Sequence, residues 1–77
     1  MNDKWFYKNV YAPFEDAWRL VLMIRHLKQD DTDGWKKFEE AQKKYSKLYN
    51  CDKGNSFEYF LSRAVLEIAD KIAEINN

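Results

Sequence analysis

Oxygen ligands are most concentrated in the stretch Gln29-Asp30-Asp31-Thr32-Asp33-Gly34. A calcium loop of the EF-hand type needs carboxylate or amide oxygens at positions 1, 3 and 5, glycine at 6 and glutamate at 12. Placing Gly34 at position 6 puts Asp31 and Asp33 at 3 and 5 and Glu40 at 12. It also puts Gln29 at position 1, normally a carboxylate, and Lys36 at position 8, normally apolar. Lys36 and Lys37 would repel a cation there. The stretch reads as a solvated acidic turn, 30–34, that caps the helix after it, and no metal site is expected.

Nucleophilic catalysis needs a base beside the nucleophile. Cys51 and His26 are the only such pair, and they fall at different predicted helix ends. Cys51 follows a helix C-terminus, where the dipole disfavours a thiolate. His26 has no second titrating group at matching spacing and reads as a surface histidine. Zinc would need about four close ligands, and none cluster. The chain is therefore not expected to be an enzyme, and no cofactor is implied.

Two features suit binding. Lys36, Lys37, Lys43, Lys44 and Lys47 could contact phosphates, with Trp35, Tyr45 and Tyr49 available to stack on bases. The three rings also fall on an apolar stripe, however, and Glu39 and Glu40 dilute the lysines, so a solvated helix face is the simpler reading. The second feature is aromatic. Rings make up 17% of the chain, and Trp5, Phe6 and Tyr7 are consecutive. Three adjacent rings cannot all enter one core. One or two are expected to pack over the domain, leaving another to dock a partner, as exposed rings do in binding hot spots.

The elements that must position these residues are helices. Leu20 to Ile24 is the longest apolar run. Around it, a helix over 13–29 carries apolar residues across an arc of about 220°, where a surface helix needs about 100°. Phe14, Ala17, Trp18, Leu20, Val21, Leu22, Ile24 and Leu27 make that arc. Pro13 suits a first helical position and separates the helix from residues 1–12. A second helix over 34–49 has a stripe of Trp35, Phe38, Ala41, Gln42, Tyr45, Leu48 and Tyr49. A third over 56–75 begins after Asn55 or Ser56, with Asn55 and Glu58 resembling a capping box. Its expected core face is Phe57, Phe60, Leu61, Ala64, Val65, Ile68, Ile72 and Ile75. Beside that face run Tyr59, Leu66 and Ala73, with the small Ser62 and Ala69 allowing close approach of the N-terminal segment or of a second copy.

The 77 residues allow one domain, 1–77. The expected fold is all-α: a small antiparallel three-helix bundle, with the aromatic segment 1–12 packed across it. That segment is either extended, with Trp5 and Tyr7 on one face, or helical from Asn2 or Asp3, aligning Tyr7 with Tyr11. Thirteen basic and thirteen acidic groups cancel, against a strongly basic nucleic-acid binder or an acidic mimic. The charges are segregated: +2 over 1–29, −3 over 30–34, +3 over 35–50 and −2 over 57–77. With one cysteine, no signal-like run and no apolar stretch near 20 residues, a cytoplasmic, soluble chain without a membrane role is expected. The expected function is a protein–protein interaction module, a regulator or inhibitor that occupies a partner protein through Trp5, Phe6, Tyr7, Tyr59 and Leu66. A homodimer through the Tyr59–Leu66–Ala73 line would use part of that surface. Small accessory proteins of phages and mobile elements share this size and composition. The alternative is a nucleic-acid-binding domain using the lysines of the second helix.

Overall fold

The computed structural model describes residues 2–51 and 56–77. All regular structure among the described residues is helical. It consists of α1 (Asp3–Phe6), a π-helical turn (Tyr7–Tyr11), α2 (Ala12–Ile24), α3 (Thr32–Leu48) and α4 (Phe57–Ile75).

The N-terminal segment takes the helical conformation of the two left open. The Asn2 side chain accepts from the Trp5 N–H at 2.8 Å and so caps α1. Proline lacks an N–H and its ring crowds the carbonyl four residues back. The π turn lies just before Pro13, and the Ala12 N–H reaches the Tyr7 carbonyl. Such turns occur as local insertions within α-helices. Pro13 thus interrupts the hydrogen-bond pattern without ending the helix, contrary to the expected separation. Asp3 to Ile24 form one helical rod, about 33 Å long at 1.5 Å per residue. Residues 3–11 contain no buried side chain. They prolong α2 and do not pack across the other helices as the sequence reading expected, because the helix carries on through Pro13.

Three helices, α2, α3 and α4, pack on one another. The core contains Ala17, Leu20 and Ile24 from α2, Phe38 and Tyr45 from α3, Leu61, Val65 and Ala69 from α4, and Cys51. Ile24 is fully buried. Polar contacts fix which ends meet. The Tyr45 hydroxyl donates to the Pro13 carbonyl at 3.0 Å, and the Tyr49 hydroxyl donates to Asp16 Oδ2. Asn76 Nδ2 donates to the carbonyls of Arg25 (3.1 Å) and Leu27 (2.9 Å). It thereby satisfies acceptors that a helix C-terminus leaves open. Ser56 caps α4 by accepting from the Tyr59 N–H at 3.0 Å. Asn55, the other candidate cap, lies outside the described residues.

Helix bounds shift where local contacts intervene. The first predicted helix ends at Ile24 rather than near 29. Asp31 Oδ2 accepts from the Lys28 N–H at 2.8 Å, and the Trp35 indole donates to the Lys28 carbonyl at 2.7 Å. These bonds shape the connection between α2 and α3. The second predicted helix starts two residues early, at Thr32, so Gly34 lies inside it. A Cβ at Gly34 would sit 2.6 Å from Leu27 Cδ2, so the glycine makes room for Leu27. Asn50 adopts φ 53° just past α3, a left-handed position that asparagine tolerates at a helix end.

Candidate interaction surface

Burial on α2 and α4 leaves a large apolar remainder. On α2 the buried positions are Pro13, Ala17, Leu20 and Ile24. They form one narrow stripe and leave Phe14 and Trp18 outside it, 57% and 55% exposed. On α4 the buried positions are Leu61, Ser62, Val65 and Ala69. The core face is therefore turned from the expected one, and Phe60 and Ile68 are 64% and 41% exposed. The cause is Ser62. Its Oγ lies 2.9 Å from Gln42 Nε2 and 3.3 Å from Ser46 Oγ. This small polar side chain links α4 to α3. The Ser62 side of α4 thus faces α3 and not the N-terminal segment.

The exposed groups of α2 and α4 meet. Phe14, Ala17, Trp18 and Val21 face Phe60, Leu61, Ala64, Val65 and Ile68 across a cleft of about 200 Å³. Every lining side chain is apolar or aromatic. The volume falls below the 300–1,000 Å³ of ordinary small-molecule pockets, so the cleft suits inserted side chains. Towards the N-terminus the ring surface continues. Tyr11 precedes Phe14 by three positions and Trp18 by seven, so the three share one side of the helix. The Tyr7 and Tyr11 rings contact edge to face, with centroids 5.6 Å apart. Tyr7, Tyr11, Phe14 and Trp18 form a ridge along the rod, and Phe60 flanks it from α4.

The sites read from sequence divide. Trp5, Phe6 and Tyr7 are all exposed, at 49%, 41% and 60%. They stand at the start of the rod that bears the ridge. Tyr59 is half-buried, packs against the core and lies 6.0 Å under the Arg63 guanidinium. Leu66 is 45% exposed and does not line the α2–α4 cleft. The ridge and cleft were missed as a unit. Their signal was the arc of about 220° on the first helix, which is wider than its neighbours in the bundle cover.

Lys36, Lys37, Lys43, Lys44 and Lys47 are all exposed. Lys43 pairs with Glu39 at 3.5 Å. Their aromatic neighbours are occupied elsewhere: Tyr45 is buried, Tyr49 is bound to Asp16, and the Trp35 indole is bound to Lys28. The expected stripe also overreached at Leu48, which is 69% exposed. That α3 face therefore offers cations without rings to stack.

The two tyrosines hold their protons tightly. Burial, followed by the hydrogen bond to Asp16, pushes Tyr49 up to about 12. Burial, followed by the proximity of Cys51 and Tyr49, pushes Tyr45 in the same direction. Both hydroxyls serve as structural donors. His26 is exposed at the end of α2 where Asn76 docks, and Cys51 is buried beyond the far end of α3. They lie at opposite ends of the bundle. Among the described residues, no group of three or more histidines, cysteines or carboxylates could hold a metal. Thr32 to Glu40 are helical, so a twelve-residue calcium loop ending at Glu40 cannot form. Likewise, among the described residues no helix is long and apolar enough to cross a membrane.

Searches against protein-family models, curated proteins and solved structures find no match for this chain.

Proposed function

We propose that this chain is a protein–protein interaction module whose working surface is the aromatic ridge and the α2–α4 cleft. One observation carries the reading: the cleft is lined only by apolar and aromatic side chains, and four of the large ones remain 41–64% exposed. Monomeric proteins rarely leave contiguous apolar patches of this kind without a partner to cover them. Trp5, Phe6 and Tyr7 extend the surface along the rod. A regulator or inhibitor that works by occupying a partner's surface in the cytoplasm fits a domain with many exposed rings. Sequential helices running antiparallel, with α2 and α4 side by side in the same direction, accord with the contacts of Tyr45 with Pro13 and of Asn76 with Leu27.

The test is affinity capture from lysate with wild-type chain and a Trp18→Ala, Phe60→Ala variant. The expected result is a protein partner retained at high salt by the wild type and lost by the variant, with the melting temperature nearly unchanged. Equal retention by both would refute the site.

A further inference from the structure

We propose that the ridge pairs with the ridge of a second copy of this chain, the two helical rods lying antiparallel about a two-fold axis. The proposal rests on the interaction reading above and names a partner for that surface.

Three observations carry it. Tyr7, Tyr11, Phe14 and Trp18 are spaced four, three and four residues apart. That is the spacing of a helix-pairing seam. It is also the same read in either direction, with its midpoint between Ala12 and Pro13. A two-fold axis there sets Tyr7 against Trp18 of the second copy and Tyr11 against Phe14, which meets the self-complementarity an isologous interface requires. Second, residues 3–11 are helical yet bury no side chain in their own chain. Their rings, carried on the same rod as α2, stand in water in the single chain, and the second rod covers them. Third, the area suffices. The four ridge rings and Phe60 are 49–64% exposed. At about 200 Å² for each ring, they present on the order of 600 Å². That meets the lower end of the roughly 600–1,000 Å² per partner of a stable interface. A net charge of zero sets no overall repulsion against self-association.

Sedimentation of the purified chain over a concentration series tests this. The wild type is expected to reach twice the 9.3 kDa chain mass. Tyr11→Glu and Phe14→Lys alter half-exposed or more exposed positions, and circular dichroism will confirm that each variant keeps its helices. Each alone should sediment at the single-chain mass. Their equimolar mixture should regain the doubled mass, because residue 11 of one copy faces residue 14 of the other. A wild type that stays monomeric throughout the micromolar range overturns the proposal, as does a mixture that stays monomeric. A monomeric wild type that still captures a protein through Trp18 and Phe60 would overturn the dimer and leave the interaction reading standing. A dimer that captures nothing from lysate would support the dimer alone.

Discussion

Tyr45 and Tyr49 show how much a single hydroxyl contributes here. Each links α3 to the N-terminal half of α2, through Pro13 and Asp16. In the unfolded chain a tyrosine ionises near pH 10, whereas in the fold both resist ionisation. The unfolded state therefore releases protons first as pH rises. Stability from this source is complete below about pH 10 and falls as pH climbs towards 12. Chemical denaturation between pH 8 and 12 should show that decline, and it should flatten in the Tyr49→Phe variant. An equal slope in wild type and variant would contradict the assignment. Ile24, fully buried, makes the complementary point. Ile24→Ala should cost about 2–5 kcal/mol, whereas Trp18→Ala, although it removes a larger side chain, should stay within about 1 kcal/mol because more than half of the ring is already in water. Thermal melts of the two variants measure the contrast directly.

At the scale of elements, the register of α4 decides where the interaction surface lies. Ser62 is buried and its hydroxyl meets Gln42 and Ser46 of α3. Ser62→Leu should wedge the helices apart and cost about 1–3 kcal/mol. Leu66→Ser, one turn along and 45% exposed, should cost clearly less. Denaturant midpoints compare the two, and equal losses would contradict the register. The helices themselves were legible: the run Leu20–Ile24, the Phe38 and Tyr45 positions and the Ser56 cap all follow from periodicity and capping chemistry. The rotation of α4 was not, since a serine enters a core only when distant partners satisfy it, and Gln42 is 20 residues away. The passage of the helix through Pro13 was equally hidden, because a π turn absorbs the missing donor without a sequence mark. Of the surface, Trp5, Phe6 and Tyr7 were readable as surplus rings. Phe60 was placed on the core face, and Phe14 and Trp18 in the apolar arc of the first helix, because periodicity gives the width of an apolar arc and not how much of it the neighbours cover.

For the molecule as a whole, balanced charge and a projecting aromatic rod distinguish two kinds of association. A complex driven by Lys36, Lys37, Lys43, Lys44 and Lys47 would release counterions and weaken steeply with salt. A complex driven by rings should hold between 50 mM and 500 mM salt, because screening acts on charges and not on apolar burial. Reversing the charge of Lys43, Lys44 and Lys47 should accordingly leave partner capture intact. Oxidative footprinting tests the central claim most directly, since it labels exposed rings in the monomer at high dilution and in the complex, whether with a second copy or a captured partner. The account predicts that Tyr11, Phe14, Trp18 and Phe60 are labelled in the free monomer and protected in the complex. Rings that stay labelled in the complex, with protection of the α3 lysine face instead, would contradict it.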